Sequence, residues 1–139
     1  MADMTRKKIT TDRSVAERVT RKIFALSDDI RYAAVYRNRN LESVSKPDLP
    51  GTSWWESDRY EEIIINTTLV TLLGQRGSLE CGGMQYLVIQ YSKFAQLVSP
   101  IQGGHVSVGF EPGSGYPPML PGIMRLLKKE MLVAEPART

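Results

Sequence analysis

Cysteine and histidine are almost absent from this chain, which has one of each, Cys81 and His105, in 139 residues. A single cysteine excludes a disulfide framework within the chain and any multi-cysteine zinc site. A single histidine cannot build a histidine-rich metal site. We therefore expect no metal and no cofactor, and we expect a reducing compartment, the cytoplasm, as the location of the protein.

Long hydrophobic runs and a strong charge bias are also missing. No apolar run reaches the 18 residues that a transmembrane helix needs, and Met1–Arg13 lacks the apolar core of a signal peptide. The net charge of +3 is too small to indicate a nucleic-acid partner. With 42% hydrophobic and 24% charged residues, the composition is typical of one soluble globular domain.

Hydrophobic periodicity and turn residues predict the element order αββαβββα. This order favours an α+β fold in which a single antiparallel sheet of about five strands has helices on both faces. The predicted domain covers residues 14–134, between a flexible basic arm at 1–13 and a tail at 135–139. The predicted elements are a helix capped by Ser14, strands Ile30–Arg37 and Leu41–Ser45, a helix Asp58–Leu73, strands Met84–Ser92, Ala95–Ile101 and His105–Glu111, and a closing helix from Pro121.

The predicted helix Asp58–Leu73 is apolar on two sides. At about 100° per residue, its apolar residues fall on two roughly opposite arcs, so that two sides must be buried. One arc can pack on the sheet and the other on a second copy of the chain, because two-fold dimers are the commonest oligomers. The alternative is that the closing helix or the Trp54-Trp55 loop covers the second arc. The first arc contains Tyr60, Ile63, Ile64 and Val70, and the second, our predicted dimer interface, contains Ile65, Leu69, Leu72 and Leu73.

Candidate catalytic groups are few. A pair of Cys81 and His105 is conceivable, but no third group is available to orient it, and Cys81 is more simply a small, partly buried residue beside a glycine turn. The acidic residues near the start of the predicted helix, Glu61 and Glu62 among them, are explained by favourable charge at the positive end of the helix dipole. We therefore predict that the chain is not an enzyme.

Two surfaces are candidates for binding. Trp54, Trp55 and Tyr60 stand just before or within the predicted interface helix, and tryptophan is enriched at binding hot spots. The alternative for the tryptophans is burial at the edge of the core. Basic residues of the first and last helices would form one positive surface if these helices lie side by side, although a solvated charged face is the simpler explanation. Glycines Gly74 and Gly77 are the predicted end of the helix.

The element order, the helix followed by the hairpin at Ile30–Ser45, and the three-strand meander at Met84–Glu111 together resemble the roadblock/dynein-light-chain group of profilin-like folds. The resemblance covers roughly Ser14 to Val133. It implies a non-enzymatic homodimer, built by the central helix and the neighbouring edge strand, that scaffolds or regulates a small Ras-like GTPase. The segment Ile30–Tyr36 also resembles small uncharacterised archaeal proteins. The alternative function is a small-molecule sensor with a ligand pocket near Trp54 and Trp55.

Overall fold

A five-stranded antiparallel sheet organises the chain in the computed structural model, which describes residues 15–47 and 55–131, and of residues 55–57 only the backbone. The strand order is β2-β1-β5-β4-β3, and all neighbours are antiparallel. The predicted fold class is thereby confirmed. The strands are β1 (Ile30–Arg37), β2 (Asn40–Ser45), β3 (Leu87–Gln90), β4 (Ala95–Ile101) and β5 (Gly104–Phe110).

Helices precede, interrupt and follow the strands. Helix α1 spans residues 15–24, and the closing helix is α4, Leu120–Glu130, which the 3₁₀ turn Pro117–Met119 introduces. Between β2 and β3 the chain forms one long helix of three parts, which we call the central helix (residues 55–80). Its parts are α2 (Trp55–Tyr60), a π-helical segment (Glu61–Asn66) and α3 (Thr67–Glu80).

One face of the sheet is apolar and carries the hydrophobic core. Because successive side chains of a strand point to opposite faces, every second residue of β1, β4 and β5 lies on this face. Helices α1 and α4 cover it with their own apolar stripes. The fully buried members of this core are Val19, Ile23, Ile30, Ala33, Leu97, Val108, Phe110, Ile123 and Leu127.

Helices α1 and α4 lie side by side on that face. The carboxylate of Glu130 accepts hydrogen bonds from Arg18 Nε, at 3.2 Å, and from Lys22 Nζ. The Lys22 ammonium in particular holds the pKa of Glu130 below its usual value. The side-by-side arrangement that the predicted positive surface requires is therefore present, and Glu130 neutralises part of the charge of α1.

The central helix covers the opposite face, so that the sheet carries helices on both sides, as predicted. The side chains of Tyr32 (β1), Gln96 (β4) and His105 (β5) point to this face and contact the central helix through hydrogen bonds. This second layer therefore contains buried polar side chains, beside the buried Ala34 and Val98 of the same sheet face.

The central helix is longer than predicted, and neither Gly74 nor Gly77 ends it. It continues to Glu80, and the glycines with positive φ follow it, Gly82 at 80° and Gly83 at 96°. Gly77 is buried within the helix, where an added Cβ would lie 2.9 Å from the backbone nitrogen of Met84. Gly77 is thus needed for close approach of two backbone segments, and the prediction that Gly74 or Gly77 ends the helix was wrong.

Other boundaries also differ from the predicted ones. Strand β3 pairs with β4 only over Leu87–Gln90, so the predicted strand Met84–Ser92 was too long. The chain leaves the helix through two left-handed glycines and reaches the sheet edge late. Leu26, predicted in the buried stripe of the first helix, lies beyond the end of α1 and is exposed. The predicted arm at 1–13, Trp54 and the tail at 135–139 lie outside the described residues.

Within these two described stretches, the structure contains no helix that is both long and apolar enough to cross a membrane.

The apolar layer predicts where a substitution lowers the stability of the fold most. Leu127 is fully buried between α4 and the sheet, so Leu127→Ala should lower the free energy of unfolding by about 2–5 kcal/mol through lost packing and a residual cavity. Urea denaturation followed by circular dichroism measures this loss. The exposed neighbour Lys128 supplies the control, since Lys128→Ala should change stability by less than about 0.5 kcal/mol. Equal effects of the two substitutions would contradict the placement of the core.

Candidate protein-interaction site

The central helix presents large apolar side chains to solvent on the side away from the sheet. Tyr60, Ile64, Leu72 and Leu79 are 59, 47, 58 and 67% exposed. We call these four residues the outer stripe. The exposed Thr68 lies between Ile64 and Leu72 in sequence, so the spacing of four residues is kept along much of the stripe. Such a row of exposed apolar side chains on one helix is typical of an interaction surface.

The central helix also buries polar side chains. Glu62 and Asn66 are its buried residues within the π-helical segment, and each is at most 1% exposed. The amphipathic pattern expected of a helix on a sheet is therefore broken here, since Glu62 and Asn66 are buried while large apolar side chains of the outer stripe are exposed.

Three donors surround the Glu62 carboxylate. Tyr32 Oη donates to Glu62 Oε2 at 2.9 Å, and Asn66 Nδ2 donates to Oε1 at 2.9 Å. The Nε2 atom of His105, which is 1% exposed, also lies 2.9 Å from Oε1. These partners come from β1, β5 and the central helix itself. Such hydrogen bonds compensate the cost of burying the carboxylate.

A second set of hydrogen bonds surrounds this centre. Gln96 Nε2 donates to Asn66 Oδ1 at 3.1 Å and lies 3.4 Å from Glu61 Oε1. Tyr91 Oη donates to the same Glu61 oxygen at 3.1 Å. We call Tyr32, Glu62, Asn66, Gln96 and His105 the buried polar cluster.

The tyrosines of this region stay protonated. Burial and the charge of Glu62 raise the pKa of Tyr32 far above its usual value. Burial and Glu61 raise the pKa of Tyr91 as well. Both hydroxyls are therefore hydrogen-bond donors at any physiological pH, which is the role that the neighbouring carboxylates require.

The structure does not bring Cys81 and His105 together as a catalytic pair. His105 is buried in the polar cluster, whereas Cys81 is exposed and accepts a hydrogen bond from Arg76 Nη1 at 3.5 Å. The prediction that Cys81 is partly buried was wrong, because the residue caps the end of α3 where the chain turns outward. Within the part of the chain that the structure describes, no three histidine, cysteine or acidic residues are grouped so that they could hold a metal ion.

The predicted interface residues divide between two environments. Leu72 and Leu73 are exposed, at 58 and 41%, whereas Ile65 and Leu69 are half-buried. Tyr60, a predicted binding residue, is exposed in the outer stripe. Trp54 lies outside the described residues, and only the backbone of Trp55 is described.

The outer stripe therefore combines members of both predicted arcs. Tyr60 and Ile64 were placed on one arc and Leu72 on the other by a uniform rotation of 100° per residue. The π-helical segment between Tyr60 and Thr67 changes this rotation. Sequence reasoning also missed Glu62 and Asn66 as buried residues. One sequence signal could have revealed them. Glu62 and Asn66 are four residues apart and flank the isoleucine run 63–65, and the strands contain the polar residues Gln96 and His105 as possible partners.

The edge of the sheet beside β4 is short and aromatic. Strand β3 occupies this edge over four residues, Leu87–Gln90, and the flanking Tyr86 and Tyr91 are both 39% exposed. An edge strand offers unpaired backbone groups to a partner.

A cleft of about 160 Å³ is lined by residues from 90–95 and 111–116. Two atoms of its lining residues, Glu111 Oε1 and Ser114 Oγ, are buried without a hydrogen-bond partner among the described residues, and Arg31 Nε and Lys46 Nζ each lie 3.9 Å from Glu111 Oε1. Phe94 and Tyr116 supply aromatic walls. The predicted pocket residue Tyr60 does not line this cleft.

Comparison with known proteins relates the chain to others by structure alone. No protein-family model and no curated protein matches the sequence. Among solved structures, gliding protein MglB from Thermus thermophilus is similar with a TM-score of 0.58 at 14% identity, over 85% of this chain and 89% of that one. A structure described as MglB with tetrameric arrangement has a TM-score of 0.54 at 13% identity, over 84% of this chain and 90% of that one.

A third solved structure agrees with these two. MglC from Myxococcus xanthus is similar with a TM-score of 0.51 at 6% identity, over 84% of this chain and 92% of that one. At such low identity the likeness establishes the fold and nothing finer. The predicted resemblance is confirmed at that level: the chain has a roadblock-like α+β fold, which MglB and MglC share.

Proposed function

We propose that this protein is a non-catalytic regulator or scaffold of a small Ras-like GTPase, and that it acts as a homodimer through the outer stripe of the central helix. The observation that carries the proposal is the row of large apolar side chains that the central helix exposes along the outer stripe, while Glu62 and Asn66 of the same helix are buried. A monomer gains nothing from exposing Tyr60, Ile64, Leu72 and Leu79, whereas an interface would bury them.

The dimensions of the outer stripe suit a stable interface. From Tyr60 to Leu79 the helix extends about 30 Å at roughly 1.5 Å per residue, which is enough for a standard interface of about 800 Å² on each partner. Full burial of an aliphatic or aromatic side chain is worth about 1.5–3 kcal/mol, so four partly exposed ones supply several kcal/mol. A self-complementary row on one helix is satisfied most simply by a two-fold contact with the same row.

Three further observations support the proposal. A structure of the similarly folded MglB has a tetrameric arrangement, so self-assembly occurs on this fold. Strand β3, with Tyr86 and Tyr91, offers an unpaired edge through which the sheet could continue into a second copy. The roadblock-like fold supports GTPase regulation, because the resemblance to the roadblock group implies that role. The buried polar cluster contains no solvent-accessible nucleophile that could act in catalysis.

A small-molecule sensor is the second candidate function. The cleft near Phe94 favours it, since Ser114 Oγ is buried there without a hydrogen-bond partner among the described residues, and Glu111 Oε1 lies 3.9 Å from both Arg31 Nε and Lys46 Nζ, beyond hydrogen-bond distance. A ligand with N–H or O–H groups would raise the melting temperature of the parent chain in a thermal-shift screen, and Ser114→Ala should reduce that rise. A screen in which no compound shifts the parent would remove this candidate.

The dimer predicts a charge-sensitive outer stripe. Leu72→Glu should convert a dimer into a folded monomer, because two buried carboxylates would meet near the two-fold axis, and the dissociation constant should rise at least about 100-fold. Leu69→Glu should also break the dimer, at some cost in stability because Leu69 is half-buried. Sedimentation equilibrium measures the mass, and circular dichroism checks the fold.

Leu26→Glu is the matched control. It makes the same substitution at a leucine that is 47% exposed beyond the end of α1, outside the central helix. This variant should stay dimeric. If Leu72→Glu unfolds the chain rather than dissociating it, the outer stripe belongs to the monomer core and the proposed interface is wrong.

GTPase binding is tested directly with purified small Ras-like GTPases loaded with GDP or with a non-hydrolysable GTP analogue. We expect at least one GTPase to bind the parent chain, with an affinity that differs about tenfold or more between the two nucleotide states. Biolayer interferometry measures both affinities. Absence of binding in either state across the panel would contradict GTPase regulation while leaving the dimer intact.

A further inference from the structure

The π-helical segment Glu61–Asn66 lies in the middle of the helix that carries the outer stripe. It joins α2 to α3 without a break in the helix. In a π-helix the hydrogen bonds run from i to i+5 rather than i+4, so the segment accommodates one more residue than α-helical turns would. Such segments are rare and occur often at functional sites.

This extra residue decides whether the outer stripe is continuous. Leu72 is twelve positions after Tyr60, so in a uniform α-helix the directions of their side chains around the helix axis would differ by about 120°. Absorbing one residue in the π-helical segment removes about 100° and leaves a difference of about 20°. The same correction brings Leu79 almost into line with Tyr60. The π-helical segment therefore aligns the two halves of the stripe.

The buried polar cluster holds the segment at both of its ends. Glu62 is its second residue and Asn66 its last, and the two side chains are joined at 2.9 Å. Tyr32 and His105 anchor Glu62 to β1 and β5, and Gln96 anchors Asn66 to β4. Thr67 Oγ1 donates to the backbone oxygen of Glu62 at 3.1 Å, which satisfies a carbonyl of the widened turn. No apolar side chain in place of Glu62 could accept the three donors.

We propose that Glu62 is a positioning residue for the partner-binding face: its carboxylate fixes the π-helical segment, and that segment aligns Tyr60 and Ile64 with Leu72 and Leu79. This inference rests on the proposed function, in which the outer stripe binds a second copy of the chain. Glu62 itself is buried and touches no partner. It acts through the rotation of α3 relative to α2.

Three variants test the proposal. Glu62→Leu removes the acceptor, and α-helical hydrogen bonding should then replace the π-helical pattern. Glu62→Gln keeps Oε1 as the acceptor for Asn66 and His105. The third variant combines Glu62→Leu with deletion of Ile65, which removes the extra residue. Leu72 is then eleven positions after Tyr60, so that a continuous α-helix would again align the two side chains.

Two measurements are made on each variant. Nuclear magnetic resonance detects i to i+5 or i to i+4 hydrogen bonds over residues 61–66 directly, in monomer or dimer. Sedimentation velocity gives the dissociation constant of self-association. Glu62→Leu should lose the i to i+5 pattern and weaken self-association at least about tenfold. Glu62→Gln and the combined deletion variant should stay within about threefold of the parent.

The rescue separates positioning from a merely structural role. A residue that only stabilises the fold would lower the melting temperature and self-association together, and deletion of Ile65 would not restore the dimer. Persistence of the i to i+5 pattern in Glu62→Leu, or failure of the deletion to restore self-association, would overturn the proposal.

If Glu62→Leu does not fold, deletion of Ile65 with Glu62 retained decides: self-association within about threefold of the parent supports the proposal, and its loss overturns it. A parent chain that stays monomeric refutes the proposed dimer instead, while the resonance measurement still tests the link between Glu62 and the π-helical segment.

Discussion

The contact between the Glu62 carboxylate and its three donors organises the central helix. A carboxylate that is 1% exposed is stable only when its oxygens are satisfied, and Tyr32, Asn66 and His105 satisfy them from two strands and the helix itself. The helix must therefore present Glu62 and Asn66 to the sheet. Tyr60, Ile64, Leu72 and Leu79 then face solvent, and the apolar outer stripe is a consequence of the polar inner contact.

The two faces of the sheet thus have different roles. The face under α1 and α4 buries a continuous hydrophobic core, in which Val19, Ile123 and Leu127 pack on alternating strand residues. Such burial supplies most of the stability of a domain of this size. The face under the central helix is held by directional hydrogen bonds, which specify one arrangement more than they add stability. A helix that is held in one orientation on the sheet can present a fixed surface to a partner. Near the C-terminal end of this helix, Gly77 adds a close backbone contact with Met84.

The sequence was sufficient to predict the antiparallel sheet, the order of its elements and the helices on both faces, because alternation in β1, β4 and β5 is regular and Asn38, Gly103 and the Pro112–Pro118 segment separate the elements. It also indicated that the helix before β3 has apolar surface to spare. It did not reveal the π-helical segment, because periodicity arguments assume one rotation per residue throughout a helix. For the same reason Ile64 and Leu72 were placed on different arcs, whereas Leu79 was left out because the helix was predicted to end at Leu73. The partnership of Glu62 with His105 joins residues 43 apart in sequence, and only the three-dimensional arrangement brings them together.

The central claim is that the outer stripe of one chain covers that of another. The most direct test is sedimentation equilibrium of the unmodified protein over a wide range of concentrations. The account predicts a species of twice the 15.6 kDa chain mass, or a multiple of that dimer, at micromolar concentration. A mass of 15.6 kDa that persists into the high micromolar range would contradict it.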